Sequence, residues 1–294
     1  MSAVTNSGAS PAGPLLRVSD LHRTAFITGA STGLGRAFTT MLLADGVRVW
    51  GTSRDPGRLA DFTRDFPSLF TPVALELRDG VKAEAVFLAA DHASGGFDLV
   101  INNAGYGLFA EFTGIEFGPW EEQLQVMLVN TARLSHAALR GFLARSATGR
   151  GGALVNIASL AAEFPLPFQS AYNVAKAGLV ALNESLMVEV TGTNVVVIDF
   201  RPGDYQTDFE GSVRRPQLKP TPRMARAWIA FEAMMRGGPR PEHAAAALRR
   251  ALLRQRSGTV RTGRFFQAVV APLLARFGSL PFKRRIQARY FDVA

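Results

Sequence analysis

The 294-residue sequence contains no cysteine. That excludes a disulfide scaffold, a thiolate metal site and a cysteine nucleophile, and it fits a reducing compartment. Histidine is scarce. His22, His92, His136 and His243 are the only four, and no two stand at metal-ligand spacing, so neither a zinc enzyme nor any bound metal is expected. No apolar run reaches the roughly 18 residues of a membrane span. Residues 1–20 are small and polar apart from Leu15 and Leu16; they lack the apolar centre of a signal peptide and are expected to form a flexible leader. Acidic residues are nearly missing from one end. Only three of the 24 Asp+Glu lie beyond residue 210, against 18 of the 33 Lys+Arg. A mildly acidic body with a basic last third is not the pattern of a uniformly basic nucleic-acid binder, and no nucleic-acid partner is expected.

Apolar residues make up 47% of the chain and charged residues 19%, which excludes a mostly disordered polypeptide. Short apolar runs alternate with longer amphipathic stretches. Strands are expected at Thr24–Thr28, Arg48–Thr52, Pro72–Leu77, Phe97–Asn102, Ala153–Ala158 and Asn194–Phe200. Helices are expected at about 34–45, 80–92, 120–145, 170–190, 222–236 and 241–256. This alternation predicts an α/β fold with a doubly wound parallel sheet covered on both faces. The run VVVI at 195–198 is continuously apolar, as a strand buried on both sides should be. From Gly203 the periodicity breaks, and Pro216, Pro220 and Pro222 mark a loop excursion into a short helix. Residues 204–237 are therefore expected to cap the sheet as a lid within a single domain.

Three motifs carry chemistry. Thr28-Gly29-Ala30-Ser31-Thr32-Gly33-Leu34-Gly35 follows the first strand and opens a helix. Its glycines let backbone amides approach a pyrophosphate, and the helix N-terminus adds about half a positive charge. The same letters match the G-x-S-x-G elbow of hydrolases. That reading is disfavoured because one strand alone precedes it and no histidine follows in a suitable context. The second strand ends in Ser53-Arg54, where a dinucleotide fold meets the adenosine ribose. A hydroxyl and a guanidinium there suit the 2′-phosphate of NADP better than the 2′-hydroxyl of NAD; Asp55 next door could pair with Arg54 and blunt the preference. Third, Tyr172 and Lys176 stand four apart on one helix face, with Ser159 at a strand end 13 residues before the tyrosine. A nearby ammonium favours the phenolate, so Tyr172 is expected to be lowered from its ordinary value near 10 and to exchange protons. Ser159 could hold a carbonyl oxygen.

TGASTGLG (28–35), NNAG (102–105), Asn130, Ser159, Tyr172 through Lys176, and Arg201-Pro202-Gly203 through Thr207 together resemble the short-chain dehydrogenase/reductase family in order and spacing across residues 22–210. The resemblance implies a Rossmann-type domain, here residues 21–260, and hydride transfer between a nicotinamide and an alcohol or carbonyl. It implies catalytic roles for Asn130 (holding a relay water), Ser159 (polarising the substrate oxygen), Tyr172 (acid/base) and Lys176 (ribose binding, lowering the tyrosine). It implies cofactor contacts at Gly29, Ser31, Thr32, Gly33, Leu34, Gly35, Ser53, Arg54, Glu76, Leu77, Asn103, Ala104, Gly105, Tyr172, Lys176, Pro202, Gly203 and Thr207, with NADP as the cofactor. Three positions depart from the family pattern: Glu76 stands for a frequent Asp, Arg133 for a frequent glycine, and Asp204 places a carboxylate beside the expected carboxamide site.

Residues 106–112, 160–168 and the lid, with Trp228, Phe231, Met234 and Met235, predict an apolar substrate wall. The expected function is an NADP-linked oxidoreductase acting on a hydrophobic alcohol/carbonyl pair: steroid, retinoid or lipid-like. The whole pattern looks most like the branch near retinol and 17β-hydroxysteroid dehydrogenases. The competing class is a non-catalytic NADP-binding sensor or scaffold. A cytoplasmic homo-oligomer, dimer or tetramer, is expected. Residues 261–294 form a basic amphipathic tail; in 264–291 an apolar stripe with cations suits a helix lying on an anionic membrane, and packing over the pocket or against a second subunit is the alternative.

Overall fold

The computed structural model describes residues 16–216, 219–273 and 279–293. Seven parallel strands form the main sheet in the order β3-β2-β1-β4-β6-β7-β9. They are β1 (Thr24–Ile27), β2 (Arg48–Ser53), β3 (Phe70–Ala74), β4 (Leu99–Asn102), β6 (Gly152–Ile157), β7 (Val195–Pro202) and β9 (Gly258–Thr262). The order reverses between β1 and β4, which opens a crevice at the carboxyl ends of those strands, the position where doubly wound sheets bind ligands.

Alternate side chains of the central strands feed opposite layers, as the strand period of two requires. Ala25 and Ile27 pack with Val196, Ile198 and Phe200 on one face, beneath α1 (Gly33–Ala44), α2 (Ala60–Asp65) and α8 (Pro241–Leu253). Phe26 packs with Val195 and Val197 on the other, beneath α3 (Gly80–Ser94), α5 (Asn130–Ser146) and α6 (Ser170–Glu189). Two buried layers on one sheet make a single-domain α/β fold of the Rossmann type, as the alternating pattern predicted.

Several elements differ from expectation. β3 begins and ends earlier than Pro72–Leu77, because Phe70 packs on Phe62 and pairs with Val49. Pro72 is tolerated because β3 is an edge strand. The helix expected at 120–145 begins at Phe117 as α4 (Phe117–Leu124), passes through a π-helical turn (Gln125–Val129) and continues as α5. β9 and α2 were not anticipated. β9 reads GTVRT and its inner side chains alternate with exposed ones, so it lacks the apolar run of a central strand. Residues 1–15 of the expected leader lie outside the described residues. Residues 16–20 are not flexible: Val18 is fully buried, its amide donates to Asp45 Oδ2 at 3.0 Å, and the Leu16 carbonyl accepts from Arg249.

The excursion after Gly203 carries a two-residue strand, β8 (Val213–Arg214), paired in parallel with β5 (Gly107–Leu108). α7 (Pro222–Arg236) follows, its first turn capped by Thr221, which accepts from the Met224 amide. Met224, Phe231, Met234 and Met235 pack with Phe109, Val213, Phe291 and Val293 in a third apolar cluster. The lid is thus welded to the end of the chain by burial. Within the tail, 274–278 lie outside the described residues. The flanking parts close over the crevice, as the packing alternative anticipated.

Candidate active site

One cavity of about 1250 Å³ runs from the glycine turn to the lid. Single-ligand pockets are typically about 300–1,000 Å³, so this volume accommodates a dinucleotide and a substrate together. Of the expected cofactor residues, all line it.

At the inner end, Gly29 has φ +70°, a left-handed backbone that favours glycine. Its amide donates to Thr52 Oγ1 at 3.2 Å and the Ala30 amide to the Thr52 carbonyl at 2.8 Å. Thr28 Oγ1 accepts from the amides of Asn103 and Ala104, while Asn103 Nδ2 donates to the Thr28 and Gly29 carbonyls. Asn103 therefore braces the glycine turn as well as lining the cavity. Thr28, which the motif placed only as a strand end, is the other half of that brace. The hydrolase reading fails, though for a different reason than expected: β1 does lie within the sheet, third from an edge. Ser31 lacks a strained positive φ, and the side-chain contact described for it is Ser53 Oγ at 3.5 Å.

At the end of β2, Arg54 is exposed and has no carboxylate partner among the described residues. Asp55 does not pair with it; its Oδ1 caps the next turn by accepting from the Gly57 amide at 2.9 Å. Arg58, one turn on, also lines the cavity and was missed in the sequence. Glu76 lines the cavity while its carboxylate accepts from the Arg78 amide at 3.1 Å, and Leu75 and Leu77 supply an apolar wall beside it.

The reacting groups sit at the middle. Ser159 lies two residues beyond β6, and its Oγ accepts from the Ala161 amide at 3.0 Å. Tyr172 and Lys176 lie on α6, both buried. Ser159 and Tyr172 both line the cavity, and the serine is near enough to favour the phenolate. Lys176 Nζ stands 5.7 Å from the Tyr172 ring centre and donates to the Ile157 carbonyl at 2.5 Å. The electrostatics correct the expectation of an acidified phenol. Burial pushes Tyr172 up to about 12; the nearby Ser159 opposes this, and the charge of Asp204 adds to the rise. Burial likewise pushes Lys176 down to about 8, against the pull of Asp199. Desolvation disfavours both charges and outweighs the mutual attraction that the i, i+4 spacing suggested.

Asn130 is not brought to the cavity wall. Its Nδ2 donates to the Leu77 carbonyl at 2.6 Å and its Oδ1 accepts from Gln125. It follows the π-helical turn, a feature common at functional sites, and its side chain braces the loop after β3 rather than facing substrate. Asp199 and its partners were also missed. Asn102, Asn156 and Asp199 are register partners on β4, β6 and β7. They join through Asn156–Asn183 (2.7 Å) and Asn183–Asp199 (3.0 Å) to Arg201, whose Nε donates to Asp199 at 2.6 Å. The charge of Asp199 in this ladder reaches Lys176 and favours its ammonium. Polar letters inside the apolar runs ALVNIA and VVVIDF were the available signal.

On the substrate side, Phe231, Met234 and Met235 line the cavity as expected, but Trp228 does not. It packs on Phe109 and Phe231, with Arg215 over its ring.

The family model for short chain dehydrogenase matches residues 23–218. The chain belongs to the short-chain dehydrogenase/reductase family. It is 33% identical to an uncharacterized oxidoreductase of Schizosaccharomyces pombe over 71% of this chain and 70% of that protein. A short-chain dehydrogenase from Streptomyces avermitilis has the same fold, with TM-score 0.78 and 25% identity over 91% of this chain and 98% of that one. A family member from Burkholderia phymatum, solved in complex with NAD, superposes with TM-score 0.72 at 24% identity, covering 86% and 92% of the two chains. Membership makes this chain a family oxidoreductase with a nicotinamide-dinucleotide fold, acting between alcohol and carbonyl. Among the described residues no helix is long and apolar enough to cross a membrane.

Proposed function

We propose that this protein is an NADPH-linked oxidoreductase that interconverts a hydrophobic alcohol with its ketone or aldehyde, the substrate being steroid, retinoid or lipid-like. The observation that supports it is the buried set Ser159, Tyr172 and Lys176 on the wall of one cavity whose outer part is built from Phe231, Met234, Met235, Phe266 and Phe282. A bound nicotinamide would supply or accept the hydride. With its phenol near 12, Tyr172 carries its proton throughout the ordinary pH range and is poised to donate it to a carbonyl oxygen. Ser159 accepts from the Ala161 amide, which leaves its own proton for the same oxygen. The Lys176 ammonium stabilises the phenolate as it forms. Asn130 positions the wall from behind. A scaffold with no activity would not need this buried set.

Arg54 and Arg58, with Ser53, favour NADPH over NADH: both guanidiniums line the cavity beyond β2, and Asp55 beside them has its Oδ1 engaged by the Gly57 amide. Charge-assisted bonds to phosphate are worth roughly 1.5–3 kcal/mol each. Arg54→Ala is therefore expected to weaken NADPH about ten- to a hundred-fold in a fluorescence titration while leaving NADH within about threefold. Equal weakening of both refutes the phosphate contact.

The tail favours peripheral contact with an anionic membrane. Phe265 is 73% exposed, Val269 and Leu273 repeat on the same helical face, and Arg284, Arg285 and Arg289 are exposed with no carboxylate partner among the described residues. Such a surface gains from apolar insertion and from anionic headgroups. The expected result is co-sedimentation with phosphatidylserine vesicles, weakened by salt and lost in Phe265→Ser/Leu273→Ser. Equal recovery of both proteins in the supernatant overturns it. Exposed Phe117, Val129 and Val174 on α4, the π-helical turn and α6 favour a homo-oligomer, dimer or tetramer, which sedimentation velocity resolves.

A further inference from the structure

Asp204, Gln267 and Tyr290 come from three separate segments: the loop after β7, the helical turn at 265–273 and the C-terminal helix (Leu280–Tyr290). All three line the cavity. Gln267 Nε2 donates to Asp204 Oδ2 and, at 3.2 Å, to the Tyr290 hydroxyl. Because a carboxylate accepts and cannot donate, this contact fixes the amide's orientation. The other end of that amide, Gln267 Oε1, is buried with no hydrogen-bond partner. Asp204 Oδ1 accepts no hydrogen bond among the described residues and, unlike Gln267 Oε1, is not sealed from the cavity.

An open carboxylate oxygen, held in place by the Gln267 amide on a wall otherwise made of Phe266, Ile286 and Phe282, calls for a ligand that donates. The charge of Asp204 is felt at the Tyr172 hydroxyl, so the cluster stands within the electrostatic reach of the reacting centre. Burial raises the Asp204 carboxyl, and Arg264 nearby opposes that rise. The Arg264 charge and the basic tail disfavour an ammonium ligand, whereas a hydroxyl donates without adding charge. We propose that Asp204, Gln267 and Tyr290 form a second polar subsite that binds a hydroxyl carried by the substrate away from its reacting carbon. The preferred substrate is then a hydroxyketone, or the corresponding diol, on an apolar skeleton.

This assignment rests on the alcohol/carbonyl reading of Ser159 and Tyr172, and the test separates the two. Reduction of methyl nonyl ketone with NADPH is compared with a series of counterparts that carry one hydroxyl at increasing distance from the carbonyl. The wild-type enzyme is expected to favour at least one hydroxyketone by roughly tenfold in kcat/KM, mainly through KM. Asp204→Asn, Gln267→Leu and Tyr290→Phe are each expected to reduce that ratio several-fold. Tyr290→Phe keeps the ring of a half-exposed side chain, so it reports even if a deeper variant folds poorly. If the plain ketone is reduced and no hydroxyketone is preferred, the subsite is wrong and the main reading stands. A uniform loss on every ketone, with the ratio intact, makes the cluster a mere clamp on the tail and also overturns it. Absence of turnover on all ketones sinks both.

Discussion

Replacement of Tyr172 by Phe is expected to lower kcat by about 10²–10⁴ while NADPH still binds. The ring stays, so the packing against Phe209 is kept, and only the hydroxyl is lost. A non-catalytic nucleotide sensor would show no such separation of binding from turnover. The pH profile sharpens the assignment. Tyr172 at about 12 stays protonated well above neutrality, whereas Lys176 at about 8 loses its ammonium near there. The sign follows: reductive turnover is flat through neutrality and falls as pH rises through about 8, because the phenolate formed in the step loses its cationic neighbour. The titrating group on that limb is therefore the lysine and not the phenol. Wild-type turnover in Tyr172→Phe, measured by loss of reduced-cofactor absorbance, would refute the proton-transfer role.

The contrast between these two groups shows what a sequence can and cannot carry. Tyr172 and Lys176 are legible because i, i+4 spacing places them on one helix face, and the glycine turn is legible because its strand and helix flank it. The direction of the tyrosine shift is not, since desolvation depends on everything packed around α6. Similarly, Asn130 sits where its motif places it along the chain, but the side chain points to the Leu77 carbonyl, a long-range partner no local pattern records. β9 escaped because GTVRT is half exposed at a sheet edge, where apolar periodicity fades. Asp204 was visible as a departure from pattern. Its meaning depends on Gln267 and Tyr290, some 60 and 90 residues away, which only the closure of the tail brings to it.

Gly35 gives the second large effect. A Cβ at this position would lie 2.1 Å from the Gly29 carbonyl oxygen and 2.4 Å from Asn103 Nδ2. Neither neighbour can yield cheaply. The Gly29 carbonyl already accepts from Asn103, and Asn103 also holds the Thr28 carbonyl. Gly35→Ala must therefore push α1 off the end of β1 and pull the amides of the turn out of line for a pyrophosphate. NADPH affinity is expected to fall by at least about a hundredfold, and Tm by several degrees. The matched control is Gly118→Ala. That residue lies in the first turn of α4 and, apart from its chain neighbours, has nothing within 4 Å of its added methyl. There the substitution should leave NADPH binding unchanged, any change in stability coming only from the first helical turn before Pro119. Calorimetric titration beside thermal melts of both variants decides it. If Gly35→Ala binds NADPH as the wild-type protein does, the glycine turn is not where the pyrophosphate docks.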